Sequence, residues 1–398
     1  MAGITGLGTT YNLPNYTGEL FQLSPADAPF LSMCGGLSGG MQTTATQFEW
    51  ETETLRSSTA NNVVLEGQDA PTAVGRTRSN VTNVTEIHQS QIQVSYTKQA
   101  AYGQKAGINI DAANPITDEL AHQIMLEVTA KKRDVNASFL GGTYQLPTDN
   151  TTKRQTRGII PAITTNVLDA TNGVTLPAWT SATNGTITAT AHGMSTGDTF
   201  IPLTVVTNTE ITVDTPYYVT VTGANTFTVA ATKGGTAITF ASTGSGTAVK
   251  GVAVTDDLMS QTLQAVFDNG GLTESETFTL WCNSRVKIDL SRTYIKNYGS
   301  SGYFVQSRSV GGVKVDTIIT DFGTLNVALE RQMPKHKILV ASMNEVHPVF
   351  LDIPGKGHFF IEPLAKTGAQ DKVQLYGEIG LAYGAESHHG ILKNLAAF

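Results

Sequence analysis

A chain of 398 residues, 40% hydrophobic and 15% charged, carries enough apolar material for more than one core, because a single core stops growing near roughly 250 to 300 residues. The formal net charge of −7 excludes a strong nucleic-acid binder, since tight phosphate binding needs clustered Lys and Arg to displace counterions; any DNA contact is expected to be weak and non-specific. The opening Met1-Ala2-Gly3-Ile4-Thr5-Gly6 has no basic-then-apolar leader, and no stretch reaches the length of a membrane-spanning helix, so neither export nor a membrane partner is expected.

Residues 1 to about 40 are rich in Gly, Ser, Thr and Pro, with Leu20, Phe21, Leu23, Phe30 and Leu31 placed without period. Apolar side chains in such a setting predict an arm that lies on a neighbour. Further on, Phe48 and Trp50 alternate with Glu49 and Glu51, and Ile92, Val94 and Tyr96 alternate with Gln93 and Ser95. Each run is expected to be a strand with one covered face. Between them, the polar stretch from Leu55 to about Asn80 contains Gly67, Pro71 and Gly75. It is too long for a hairpin turn and is expected to reach outside its own domain.

Asn114 and Pro115 supply a helix cap and a first-turn proline, after which Ile116, Leu120, Ile124 and Val128 recur every four residues, followed by Val135 and Phe139. Asp118 and Glu119 near the start and Lys131, Lys132 and Arg133 toward the end suit the helix dipole, and Gly141-Gly142 stops the helix. The spacing predicts a helix about 35 to 40 Å long.

From about Thr171 to Gly251 threonine dominates and charge nearly vanishes, a bias that favours pleated sheet. Thr186-Ile187-Thr188, Glu210-Ile211-Thr212-Val213, Tyr217 to Val221 and Thr226 to Val229 are separated by Gly, Asn and Asp, which predicts a small all-β domain. Helical patterning resumes at Asp256-Asp257-Leu258-Met259 and stops at Gly270-Gly271, so the β unit is an insertion that splits its host. A strand at Phe278-Thr279-Leu280-Trp281 follows, then a short helix capped by Asn283 or Ser284 with Val286, Ile288 and Leu290 in its body. Mixed strands are expected from Val313 to Ile319, Leu325 to Leu329, Lys337 to Val340 and Val373 to Leu381.

Chemical motifs are weak. Gly36-Leu37-Ser38-Gly39-Gly40 matches the spacing of a hydrolase elbow, but Met41 to Thr46 is a poor helix start. Gly3, Gly6 and Gly8 follow no strand, and Gly355-Lys356-Gly357 lacks the remainder of a phosphate loop. His388 and His389 lack metal-site spacing and are read as surface or structural histidines. Asp198 and Asp214 are read as turn formers rather than calcium ligands, and Cys34 and Cys282 as free thiols. Lys153, Arg154 and Arg157 form a dense basic patch that could meet phosphate, an acidic neighbour or only solvent.

The order of arm, strand, long loop, strand, long helix and split mixed region resembles major capsid proteins of tailed bacteriophages with the Hong Kong ninety-seven fold. Four stretches resemble the subfamily typified by phage SU-ten: Thr156-Arg157-Gly158-Ile159-Ile160, Trp281-Cys282-Asn283-Ser284, Thr320-Asp321-Phe322-Gly323 with Arg331-Gln332-Met333-Pro334, and Tyr376-Gly377-Glu378-Ile379-Gly380-Leu381.

The resemblance implies an α+β fold: an N-terminal arm (1–45), an extended loop with flanking strands (46–105), and a spine helix with a peripheral domain (106–170). An inserted β domain (171–251), an axial domain (252–345) and C-terminal peripheral and axial strands (346–398) complete it. It implies a non-enzymatic virion subunit without cofactors, assembled in the host cytoplasm into hexamers and pentamers of an icosahedral shell around double-stranded DNA. A separate scaffolding protein, a portal and a decoration protein are the further partners, and locking is expected to be non-covalent. Glu49, Glu51, Glu53 and Glu66, with Arg56, Arg76 and Arg78, are expected to pair with charges on adjacent subunits, and Arg154 and Arg157 join them as candidate contacts. The competing expectations are a tail or decoration subunit, a hydrolase using Ser38, and a carbohydrate binder using Tyr217, Tyr218 and Phe227.

Overall fold

The computed structural model describes residues 22–55, 63–70, 72, 75–100, 116, 118–273, 278–298, 304–310 and 313–396. The chain opens with a one-turn helix α1 (Pro29–Cys34) and strand β1 (Met41–Thr43), then a two-stranded ribbon of β2 (Gln47–Glu53) and β3 (Arg78–Val84), and strand β4 (Glu86–Ser95). A short helix α2 (Tyr96–Ala100) takes Tyr96 out of the strand it was expected to end: paired register between β4 and β19 stops at Ser95, whose hydroxyl accepts from the Lys98 amide at 3.3 Å.

Helix α3 (Glu119–Gly141) is 23 residues long, about 34 Å. Its cap is Asp118, whose side chain accepts a hydrogen bond from the Ala121 amide at 3.1 Å; the expected cap, Asn114, and Pro115 lie outside the described residues. The apolar repeat enters the core only at its C-terminal end, through Val135, Phe139 and Leu140, whereas Ile124 and Val128 stay half-buried and Met125 is exposed. A turn of helix α4 (Ile159–Ala162) and strand β5 (Val167–Asp169) lead to the insertion.

The insertion is a closed barrel of β6 (Trp179–Ser181), β7 (Thr186–Thr188), β8 (Thr199–Val206), β9 (Tyr217–Gly223), β10 (Thr226–Ala230) and β11 (Gly244–Lys250). Glu210 to Val213, expected to be a strand, forms a bend and turn instead, with Asp214 at a positive φ of 61°. Alternation decides the interior: Trp179, Ile187, Phe200, Val219 and Phe227 are fully buried and pack together. Tyr217 and Phe227 therefore build the core and cannot serve as an exposed sugar platform.

Beyond the barrel come α5 (Asp256–Asp268), β12 (Phe278–Cys282), α6 (Ser284–Tyr298), β13 (Phe304–Val310), β14 (Val313–Thr320), β15 (Gly323–Leu329), β16 (Ile338–Ser342), β17 (His347–Leu351), β18 (Phe359–Pro363), β19 (Gln370–Ala382) and β20 (Gly390–Lys393). Thr255 caps α5 by accepting from the Leu258 amide, and Asn283 caps α6 by accepting from the Arg285 amide, both at 3.3 Å.

A seven-stranded sheet runs β13-β14-β15-β12-β16-β20-β5, and a second sheet runs β1-β17-β19-β18 with β4 also paired to β19. The continuous apolar run of β12 reflects burial on both faces. Leu280 and Cys282 face α5 and α6 through Leu258, Met259 and Leu290. Trp281 faces the other way, into a core shared with α1 and the end of α3. Neither Cys34 nor Cys282 forms a disulfide; both are buried, and burial pushes the Cys34 thiol up from its usual range.

Phe30 and Leu31, expected to lie on a neighbour, are covered by their own chain. Phe30 meets Trp281 edge-on with ring centroids 5.3 Å apart, the Phe30 amide donates to Glu330 Oε2 at 3.2 Å, and the Leu31 amide donates to Asn136 Oδ1 at 2.8 Å. Phe30→Ala should lower the stability of the unassembled chain by about 3–5 kcal/mol, measured by urea unfolding. A change near zero would place Phe30 in the shell interface instead.

Candidate assembly surface

The β2–β3 ribbon is gripped at its root and free toward its tip. Phe48 packs with Val349 and Ala382, the Trp50 indole N–H donates to the Gly384 carbonyl at 2.8 Å, and the Trp50 and Tyr383 rings meet at 90°. Alternation then turns every second residue outward, and Glu51, Glu53 and Arg78 are exposed.

Asn83, fully buried, closes the root. Its amide Nδ2 donates to the carbonyls of Leu381 at 2.7 Å and Arg157 at 3.1 Å, while its Oδ1 accepts from the amides of Arg157 at 2.8 Å and Val84 at 2.9 Å. All four hydrogen-bonding positions of the carboxamide are filled.

Beside it, Glu378 accepts from Arg154 Nη2 at 2.9 Å and from the Tyr376 hydroxyl at 2.6 Å. Burial and that carboxylate push the Tyr376 hydroxyl up to about 12. Glu86 accepts from the Thr156 amide at 3.2 Å and lies 2.8 Å from His88 Nε2. Sequence reasoning passed over Asn83, Glu86 and Glu378. Their signal was polar residues interrupting otherwise covered strand faces.

The expected contact residues separate into three groups. Arg78 pairs within its own ribbon, with Glu51 at 2.9 Å and Glu53 at 3.6 Å, and Asn80 donates to Glu49 at 3.1 Å. Arg154 and Arg157 turn inward: Arg154 bridges to Glu378, while Arg157 lies over the Tyr144 ring at 4.7 Å and donates to the Tyr383 hydroxyl at 3.4 Å. The basic patch that might meet phosphate is thus spent on intramolecular bonds, apart from the exposed Lys153. Glu66 and Arg76 are exposed, and Arg56 lies outside the described residues.

Apolar side chains also stand uncovered near the ribbon tip. Leu55, Val63 and Leu65 are 94%, 84% and 80% exposed, and Val64 57%. The Glu66-Gly67 turn that follows is closed by the Gln68 amide donating to the Leu65 carbonyl at 3.1 Å, with Gly67 at a φ of 83° that suits glycine. A second uncovered surface is a groove of about 620 Å³ on α3, lined by Leu23, Pro25, His122, Met125, Leu126 and Arg133.

The other candidate chemistry resolves into packing. Gly39 and Gly40 around Ser38 permit close crossings: a Cβ on Gly40 would lie 2.2 Å from the Pro348 carbonyl, where β1 joins β17. His388 ends a 3-10 turn rather than a strand and lies 2.6 Å from Glu345, while His389 is buried, accepts from the Ser342 amide and lies 2.7 Å from the Tyr383 carbonyl. Asp198 accepts from the Ser195 amide in its turn and pairs with Lys250 at 2.5 Å. Asp214 forms its turn and more: its carboxylate reaches out of the barrel to Lys337 and, at 2.9 Å, to His336 Nε2.

A profile of the SU10 major capsid protein family matches residues 3–396. The chain belongs to the SU10 major capsid protein family. A search of curated proteins gave no match. Among solved structures the chain is similar to the capsid subunit of cyanophage A-1(L), at 12% identity and a TM-score of 0.51, covering 98% of this chain and 99% of that one. It is also similar to the SrpI encapsulin of Synechococcus elongatus, at 9% identity and a TM-score of 0.51, covering 96% and 93%. The fold is the Hong Kong ninety-seven capsid fold, and the chain is a major capsid protein of a tailed phage, a structural component of the virion.

The Asp214 clasp ties the barrel of this capsid protein to the shell-forming part. Burial works against its ionised form, but the hydrogen bonds and charges of His336 and Lys337 win and hold the carboxyl at about 2, below its ordinary 3.8. A group depressed on folding stabilises fully above its unfolded value and loses that contribution as pH falls through the folded one. Asp214→Asn should therefore be less stable than the parent at pH above 3.8, with the difference closing toward pH 2. Urea midpoints across that range measure it; a pH-independent difference would locate the effect in the turn rather than the charge.

Proposed function

We propose that this capsid protein closes an icosahedral shell of hexamers and pentamers by laying the β2–β3 ribbon across an adjacent subunit, with the apolar tip as the anchor and the charges as the guide. The observation that carries the proposal is the contrast between a root in which every hydrogen-bonding position of Asn83 is filled and the exposed Leu55, Val63, Val64 and Leu65 beyond it. Full burial of four such side chains stabilises by about 6–12 kcal/mol before ordering costs are subtracted. Exposed ion pairs such as Arg78 with Glu51 contribute about 0–1 kcal/mol each. Anchoring thus falls to the apolar residues, and register to Glu49, Glu51, Glu53, Glu66, Arg56, Arg76 and Arg78.

In the same reading residues 1–45 form the arm, with only its part before Pro29 left to reach a neighbour. Residues 46–105 form the extended loop with its strands, α3 is the spine, and the region after Gly251 supplies axial and peripheral parts. The barrel stands on the outer wall. Assembly takes place in the host cytoplasm with a separate scaffolding protein and a portal, and a decoration protein can join the finished shell. The enclosed double-stranded DNA meets the wall weakly, because the acidic balance and the inward turn of Arg154 and Arg157 leave few cations to grip phosphate. The chain is a structural subunit without cofactor or catalysis, held to its copies by non-covalent contacts.

Co-expression with the neighbouring genes, followed by electron microscopy of the sedimenting fraction, should give closed polyhedral shells made mainly of this chain. Replacing both Val64 and Leu65 by Asp should abolish shells while leaving the urea midpoint of the unassembled chain unchanged. Intact shells from that variant would remove the tip as anchor.

Reversing Arg76 and Arg78 to Glu should slow assembly most at low salt, with the gap to the parent narrowing as ionic strength rises. Light scattering measures this. Equal rates at every salt concentration would show that the charges take no part.

A further inference from the structure

The barrel carries a surface that the shell role leaves unused. On β6, β7, β10 and β9 the inward positions build the core, and the outward positions are mostly threonine. Strand register sets these in rows. Thr180, Thr188 and Thr226 stand opposite one another across three strands, and Thr186, Thr228 and Thr220 form the second row. Neighbours in a row are about 4.8 Å apart and the rows about 6.7 Å apart, so the face is a regular lattice of hydroxyl and methyl groups. Tyr218, half-buried and outward, stands next to Thr220 at its edge.

Two properties narrow what such a face can hold. Residues 179–191 and 215–232, which supply it, contain no Asp, Glu, Lys or Arg, so a polyanion or a basic segment would find no counter-charge. The hydroxyls of Thr180, Thr188 and Thr220 have no hydrogen-bond partner among the described residues, so an apolar partner would strip their water without replacing it. The partner that satisfies both conditions is neutral, presents donors and acceptors every few ångströms, and offers C–H surface to methyl groups and to one aromatic ring. That is a neutral polysaccharide. The face is also held by closed-barrel pairing, so little ordering entropy is lost on contact.

The rows lie away from the attachment to the host. The Gly251 amide donates to the Thr199 carbonyl, and Thr199 pairs with Tyr218. Tyr218 therefore marks the end of β9 nearer the host, and Gly223, opposite Thr226, lies about 17 Å further along.

We propose that this face of the barrel binds neutral polysaccharide through the threonine rows, with Tyr218 stacking on a sugar ring at the edge. Each contact is weak and the number of copies multiplies it; only that multiplication rests on the shell reading.

The test uses the unassembled full-length chain, so its failure leaves the shell reading untouched. Electrophoresis in native gels cast with dextran, galactomannan or, as an anionic control, heparin measures retardation. Retardation by at least one neutral polymer, weakened roughly tenfold in the combined variant Thr188→Val, Thr220→Val and Thr226→Val and kept in Thr188→Ser, is the expected result. Tyr218→Ala should weaken it independently of the valines. An unchanged melting temperature of each variant excludes a folding effect. No retardation by either neutral polymer, equal retardation of the valine variant, or retardation by heparin alone would overturn the proposal.

Discussion

The projecting ribbon depends on one buried carboxamide. Asn83 bonds to backbone groups of residues 84, 157 and 381, so three stretches far apart in sequence must be in place together before any of them is satisfied. A buried amide left with open positions would cost about 1–3 kcal/mol for each group stranded, which makes the root close to all-or-none. The ten-residue pairing of β4 with β19 runs on from the same point and fixes the direction in which the next strand leaves. Glu378 and Glu86 extend the arrangement into a satisfied polar cluster, in which charge partners and hydrogen bonds specify one geometry rather than adding a large net stabilisation.

The same economy explains how a short apolar segment near the start of the chain came to lie inside it. Phe30 fills the face of the seven-stranded sheet that Trp281 presents, and without it that face would open to water between α3 and β16. Glu330 and Asn136 then bond the two amides of α1 that a single-turn helix cannot satisfy for itself. Part of what resembles an arm is therefore core.

Much of this was legible in the sequence where local rules and burial agree. The helical pattern from Asp256 and the Gly270-Gly271 stop bounded α5, Phe278 to Trp281 read as a strand, and threonine richness marked a small β domain, whereas the Thr255 cap, the two-sided burial of β12 and the closure of the barrel emerged only in the structure. Where long-range partners decide, the sequence was silent. Phe30 has no periodic neighbour, so nothing local told core from arm. Arg154 and Arg157 read as a basic patch because Glu378 and Tyr383, the groups they donate to, lie more than 200 residues away. Tyr217 and Tyr218 are adjacent and chemically alike, and only the phase of the strand separates the buried one from the outward one. Asp214 read as a turn former; its second role required knowing that residues 336 and 337 come beside the barrel.

The barrel's two stems meet the host on one strand. β5 pairs with β20 as far as Lys393 opposite Asp169, and on the way out Val252 bridges to Leu395. Entry and exit thus sit two residues apart on the same C-terminal segment, about 7 Å, and the host sheet closes without using any barrel residue as a strand. A segment mounted that way is a graft on a ready-made socket. Another module of similar end-to-end spacing can take its place there while the host sheets stay the same.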